Sequence, residues 1–207
     1  MLFRSHVQSS EYLLFLNNDT EVITPEWLSA MIEHAQRKEV GAVGAKLFYP
    51  NDTIQHAGVI LGILGVANHS HLGFPRSSHG YFGRVNVIQN VSAVTGACMV
   101  VRRDVFNEVG GFDEGMSHAF NDVDLCLKIR EKGYCIVYTP YAELYHHESA
   151  SRGYDLATPE RKARFDREID IMKARWKHIF EQGDPYYNPN LTLTKTDFSI
   201  RLEDVAF

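Results

Sequence analysis

The sequence predicts an α/β protein whose sheet is mostly parallel and carries helices on its faces. Tyr12-Leu13-Leu14-Phe15-Leu16 is an unbroken apolar run that ends in short polar side chains, Asn17-Asn18-Asp19-Thr20. Such runs suit strands covered on both faces. A segment of helical periodicity follows, with Trp27, Leu28, Met31, Ile32 and Ala35 on one side, and then a second apolar run from Ala42 to Phe48. Strand, helix, strand in that order makes a right-handed βαβ unit.

Composition sets the outer limits. A chain of 207 residues, 44% hydrophobic and 12% aromatic, buries one substantial core and reads as one domain. A net charge of −5 and a pI near 6.0 exclude a general nucleic-acid binder, which needs a basic face. Cys98, Cys126 and Cys135 are odd in number and lack Cys-x-x-Cys spacing. They read as reduced packing residues of a cytoplasmic protein. The sequence has neither an apolar stretch of membrane-spanning length nor a signal-peptide core. Asn18-Asp19-Thr20 matches a glycosylation acceptor, but a glycan there would block the site proposed below, which again favours a compartment without that modification.

Met1 to Glu11 show no pattern and lead straight into the first strand. Ligands of parallel sheets bind beyond the carboxyl ends of the strands. Asn17, Asn18 and Asp19 therefore stand where a substrate would lie, offering a hard anionic oxygen for Mg2+ or Mn2+ and amides for hydroxyls. The same residues equally suit a plain turn. The following helix is expected to take Thr24 as its N-cap and Pro25 at its first position, and to stop by Gly41.

From Pro50 to Arg84 periodicity fades, and glycines alternate with His56, His69, His71 and His79. This reads as a long excursion with a partial hairpin. The histidine spacing matches no common ligand pattern, so structural or surface roles are expected. Asn86 to Val94 and Gly96 to Arg103 are strand-like, and the small residues at Gly96-Ala97 permit close approach of a ligand or backbone. Asp104 to Glu108 reads as a short helix ended by Gly110-Gly111.

Asn121-Asp122-Val123-Asp124 opens a helix that runs to Lys132 and stops at Gly133. One of the two acids is expected to cap it; the pair exceeds what a cap requires, and a positioned carboxylate is a competent general base. Tyr134 to Tyr138 and Ala142 to Tyr145 are β-rich and end at His146-His147, where a core or surface histidine competes with a metal or phosphate contact. Thr158 to Gln182 reads as one long helix with an apolar stripe of Phe165, Ile169, Met172, Trp176 and Ile179. Its other side is basic. Packing on the domain is the favoured reading of the stripe, with a dimer seam or an anionic-membrane contact as rivals.

Taken together, Leu16-Asn17-Asn18-Asp19, Gly96-Ala97-Cys98-Met99-Val100-Val101-Arg102 with Gly111-Phe112-Asp113-Glu114, Asn121-Asp122-Val123-Asp124-Leu125 to Gly133-Tyr134, and His146 with Ser151-Arg152-Gly153 resemble family 2 glycosyltransferases of the GT-A fold. The nearest flavour is that of bacterial enzymes building cell-surface polysaccharides, rhamnosyltransferase-like members included. The resemblance covers residues 9–153.

It implies a GT-A-like (Rossmann-like) mixed, mostly parallel sheet. Residues 1–153 would form a partial GT-A domain, and 154–207 a C-terminal helix and extended tail packed on it. Asp19 takes the place of the metal-binding carboxylate of the family's Asp-x-Asp motif, and Asn17 that of its first Asp, near ribose or donor sugar. Asp122 matches the catalytic base of the Glu-Asp motif, with Asn121 replacing the Glu. Asp124 matches an acid near the acceptor, and His146 the histidine that helps hold metal or diphosphate. Asn18, Gly96, Ser151 and Arg152 complete the implied substrate contacts.

The implied cofactor is Mn2+ or Mg2+. The implied partners are a nucleotide-diphosphate sugar donor and a glycan or lipid-linked glycan acceptor, with inversion at the anomeric carbon. Location is expected in the cytoplasm, peripheral to the inner face of the cell membrane. Family members carry further strands ahead of the Leu16-Asn17-Asn18-Asp19 stretch, so roughly 80 to 100 nucleotide-binding residues are expected to be lacking, on the domain sizes normal for this class. Activity would then need them, and an open sheet edge would favour self-association. The rival reading is a catalytically silent glycan-binding or interaction domain.

Overall fold

A computed structural model describes residues 10–116, 118–147 and 158–201. In chain order the first elements are β1 (Tyr12–Leu16), β2 (Thr20–Val22), α1 (Trp27–Ala35), β3 (Val40–Phe48), β4 (Ile54–His56), β5 (Val59–Leu61) and β6 (Ala67–His69). Then come β7 (Gln89–Val91), β8 (Cys98–Arg102), α2 (Arg103–Glu108), α3 (Asn121–Glu131), β9 (Cys135–His146), α4 (Pro159–Arg175) and α5 (Lys177–Gln182). The main sheet has the order β1-β8-β3-β9-β2, with β4 added to β3 and β7 to β9; β5 and β6 form a separate hairpin.

The fold class is as expected, α/β with a mixed sheet and flanking helices. Pairing within the sheet is more antiparallel than the apolar runs suggested. β3 and β9 are parallel, and every other pair among the described strands is antiparallel. The cause is β8, which enters between β1 and β3 and runs against both. The two strands of the β1-α1-β3 unit therefore point the same way without touching.

All nine residues of β3 are buried, and its side chains feed two cores. Val40, Val43, Ala45 and Leu47 pack with Met31 and Ala35 of α1, whereas Ala42 and Phe48 join Leu125, Leu127 and Ile129 of α3 and Met172 of α4. The result is three layers, α1 on one face of the sheet and α3 with α4 on the other. Gly41 belongs to this packing. It lies inside β3 rather than ending α1, and an added Cβ would sit 2.4 Å from Ile129 Cγ2. Gly44 is as confined, with Val94 Cβ 2.4 Å from the place of its missing Cβ.

Two helix starts differ from expectation. α1 begins at Trp27 with Glu26 in the cap position and no side-chain cap bond; Thr24 is spent on a preceding turn, its carbonyl accepting from Trp27 N at 3.1 Å. Neither Asp122 nor Asp124 caps α3, whose cap position is held by Phe120 in a left-handed conformation. The expected C-terminal helix is two helices, α4 and α5, broken at Trp176 (φ −104°, ψ 20°). Thr158 caps α4, accepting from Arg161 N. Its stripe packs on the domain, Met172 and Trp176 being buried and Ile169 and Ile179 lying against the same core. None of the described helices is long and apolar enough to cross a membrane.

The histidine-rich excursion has a core of its own. His71 is 1% exposed; its Nε2 accepts from Tyr81 N at 2.9 Å and its ring stacks on Phe198 at 4.2 Å. Burial, with Arg84 and Lys46 adding repulsion, pushes its pKa from 6.5 down to about 4. Burial and the nearby His69 and His146 push that of His56 well below its ordinary value. An unfolded chain takes up these protons as pH falls through 6.5, while the folded chain does not until about pH 4 at His71. Stability is therefore complete above pH 6.5 and is lost as pH falls from there toward 4. Urea midpoints should show a loss of up to about 1.4 kcal/mol per pH unit for each such histidine, and His71→Phe should flatten the profile. An unchanged slope in that variant would mean His71 is not held neutral.

Candidate functional site

Asn17, Asp19, Gly96, Asp122 and His146, five of the residues picked out by sequence, lie where β1 and β9 end and β8 and α3 begin. β1 ends at Leu16, and Asn17 stays tied to the sheet through its N–H, which donates to Ala97 O at 2.9 Å beside the start of β8. Asn17, Asn18 and Asp19 then turn into β2. Thr20 Oγ1 closes that turn on Asn17 O at 2.8 Å, so the residues are both a turn and a presented polar cluster. β2 pairs with the end of β9, placing Thr20 opposite His146. Two chain ends that are remote in sequence are thus brought together by strand pairing alone.

His146 Nε2 lies 3.2 Å from Asp19 Oδ1 and 3.1 Å from Asn17 Nδ2. Its Nδ1 lies 2.8 Å from Gln55 Oε1, while Gln55 Nε2 donates back to His146 O at 3.4 Å. Gln55 Oε1 can only accept, so His146 Nδ1 carries a proton, and Nε2 faces Asn17 Nδ2 and Asp19 Oδ1. Asp19 Oδ1 is buried and accepts no hydrogen bond among the described residues. One carboxylate oxygen and one imidazole nitrogen, the ring fixed from behind by Gln55, are two of the donors a divalent ion such as Mn2+ takes, and the described residues bring no third His, Cys, Asp or Glu to them. Asp19 and His146 are the residues that would hold such an ion. His147, one residue on, faces Glu21 at 3.3 Å on the exposed side.

Asp122 reaches the same place from α3. Its Oδ2 accepts from Gly96 N at 2.9 Å and its Oδ1 from Val123 N at 2.8 Å. Gly96 precedes Ala97, the residue that holds Asn17, so hydrogen bonds run in turn from Asp122 through Gly96-Ala97 and Asn17 to His146, with Asp19 Oδ1 3.2 Å beyond. Asn121 stands half-buried at the first position of α3.

Asp124 is corrected by the structure. It is wholly buried, its Oδ1 accepting from Arg175 Nη1 at 2.7 Å and Trp176 Nε1 at 3.0 Å, with Lys128 Nζ 3.1 Å from Oδ2. A side chain enclosed by three donors on α3 and α4 cannot also meet an acceptor; it anchors α4. Ser151 and Arg152 lie outside the described residues. Sequence reasoning missed Gln55, because one polar residue in a short strand carries no pattern. A cavity of ≈ 320 Å³ between Leu61 and the tail residues Tyr187 to Arg201 shares no residue with this cluster.

Cys98 and Cys126 are free and buried, and burial pushes both thiols up to about 12. They take no part in the chemistry of this site.

The model described as "Glycosyltransferase like family 2" matches residues 2–168. A protein of Sinorhizobium fredii named Uncharacterized protein y4gI is 57% identical over 190 residues, covering 91% of this chain and 21% of the relative. The O-antigen biosynthesis protein RfbC of Myxococcus xanthus is 46% identical over 195 residues, covering 93% of this chain and 15% of its own length. An N-acetylglucosaminyl-diphospho-decaprenol L-rhamnosyltransferase of Mycobacterium tuberculosis is 31% identical over 142 residues, covering 65% and 46%. The chain spans less than half the length of each of these relatives. Among solved structures, a mannosyltransferase from Pyrobaculum calidifontis in complex with GDP-Man and Mn2+ aligns with 82% of this chain and 40% of its own at 14% identity and a TM-score of 0.49, a likeness too distant to transfer a ligand.

Proposed function

Since this chain belongs to the glycosyltransferase-like family 2, we propose that its polar strand ends work in the inverting transfer of a sugar from a nucleoside-diphosphate donor to a hydroxyl of a growing surface polysaccharide. The observation that supports this reading is the series of hydrogen bonds from Asp122 through Gly96-Ala97 and Asn17 to His146, with Asp19 Oδ1 3.2 Å from the last.

In this reading Asp122 accepts the proton of the acceptor hydroxyl as that oxygen attacks the anomeric carbon, and the bond to the diphosphate breaks on the opposite face. A single displacement with one base and no covalent intermediate inverts the centre. Asp19 and His146 would hold a divalent ion, which would supply charge stabilisation for the departing diphosphate. Gln55 orients the His146 ring through Nδ1, and an ion at Nε2 would displace the contact of Asn17 Nδ2 with that nitrogen. Gly96 N–H orients the Asp122 carboxylate, leaving its outer lone pairs toward the acceptor. Asn18 and Asn121 offer amide groups to sugar hydroxyls. The names of the relatives support an acceptor of the lipid-linked glycan class.

Transfer and hydrolysis should be measured with a panel of UDP- and dTDP-sugars in Mn2+, with and without a chelator. Chelation is expected to remove turnover, and Mn2+ to restore it. Turnover at the same rate in chelator would sink the metal part of the proposal. Nucleotide-sugar binding with no turnover for any acceptor would favour a silent binding domain instead.

A further inference from the structure

α4 is a largely basic helix with one deeply buried carboxylate. Glu168 is 2% exposed, and its two oxygens accept the backbone N–H groups of His118 (3.3 Å) and Ala119 (2.7 Å). These residues immediately precede Phe120, whose left-handed backbone (φ 60°, ψ 4°) occupies the cap position of α3. Bulky residues rarely adopt that conformation, and it persists only where the surroundings over-determine it. Here the surroundings are α4. Phe165 packs its ring on Phe120 at 5.7 Å, and Arg175 binds Asp113 at the far end of the same loop at 2.5 Å.

An enclosed carboxylate is unfavourable unless charged hydrogen bonds compensate it, and a helix-to-loop contact made only for packing would use an apolar side chain. Two consecutive N–H groups aimed at one carboxylate fix the direction of the backbone as well as its distance. That direction sets the left-handed step at Phe120, which sets where α3 starts, which sets the bearing of Asp122 two residues later.

We propose that Glu168 is a positioning residue for Asp122: by holding the N–H groups of His118 and Ala119 it fixes the left-handed entry into α3 and so the contact between Asp122 and Gly96. Calling Asp122 a base rests on the function proposed above, whereas the placement itself is a matter of geometry and can fail separately.

Amide hydrogen exchange on the full chain, compared among wild type, Glu168→Gln and Glu168→Ala, tests it. In Glu168→Ala the amides of His118 and Ala119 should lose protection. The Gly96 amide, in a different segment, should exchange about tenfold faster or more, while the centre of β3 keeps its protection. Glu168→Gln retains one acceptor and should fall between, and it carries the same comparison if the alanine variant does not fold. Release of His118 and Ala119 with Gly96 unchanged would make Glu168 a local tie only and overturn the proposal. So would a general loss of protection across β3 in both variants. Wild-type turnover in Asp122→Asn, alongside a loosened Gly96 in Glu168→Ala, would refute the base and leave the placement standing.

Discussion

Asp122→Asn, in a version of the protein that also carries the nucleotide-binding strands, is expected to lower sugar transfer by about 10²- to 10⁴-fold, the usual range for loss of a general base, while nucleotide and Mn2+ binding hardly change. The two halves have separate causes. An asparagine oxygen can still accept from Gly96 N–H, at the cost of the weaker local bond from Val123 N–H, so the contact between α3 and the start of β8 is kept. It cannot take a proton from the acceptor at neutral pH, and only the displacement step needs that. Initial rates at saturating donor, set beside calorimetric titration with the nucleotide sugar, separate the effects. Transfer at the wild-type rate would remove Asp122 from the mechanism. A matching loss of donor affinity would mean that the substitution had disturbed the site instead.

Asp124→Ala should be the most damaging single change to stability in this region. Removing one partner of a buried ion pair strands the others, at a cost of about 3–5 kcal/mol. Relief is partial here: Arg175 and Lys128 side chains are 37% and 22% exposed and can turn toward water, whereas Trp176, 2% exposed, cannot. The lower end of the range follows, about 3 kcal/mol, which for a domain of this size lowers Tm by about 6–12 °C. Asp124→Asn keeps the acceptor for Arg175 and Trp176 and should lose less. Urea unfolding measures both, and an alanine variant within about 0.5 kcal/mol of wild type would show that α4 is held without Asp124.

The two aspartates separate what a sequence carries from what it does not. Asp122 and Asp124 are alike in type, and each stands in the first turn of α3. Helical geometry turns one toward β8 and the other toward α4, and only the position of α4 decides which meets solvent. Nothing near residue 124 in the chain announces Arg175 and Trp176. That Asp19 and His146 each stand at the end of a strand was legible from the apolar runs before them, whereas their role with a metal rests on the proposal above. Gln55 was not, since its importance lies in a partner across the sheet. Glu168 did leave a trace: an acid three residues after Phe165 and four before Met172 falls on the apolar stripe of α4, where a charge needs a reason. The antiparallel entry of β8 left none. An apolar run specifies burial on both faces, and direction comes only from the connections around it.

The place of β8 also governs how a nascent chain can mature. Apart from the contact of β3 with β4, each pairing in the main sheet joins segments far apart in the chain, and non-local pairing slows folding. β1 and β3 emerge from the ribosome early, yet β1 has no strand partner until β8 arrives and β3 has only β4 until then. At roughly 5–20 residues per second, the stretch from Phe48 to Arg102 takes about 3–11 s to synthesise, and throughout that interval the wholly buried strand β3 has an open flank where β8 will dock, while the flank that takes β9 stays open longer still. The kinetic bottleneck is therefore a vacancy on both sides of the central strand, and demand for chaperone protection during synthesis is set by the lateness of β8 and β9.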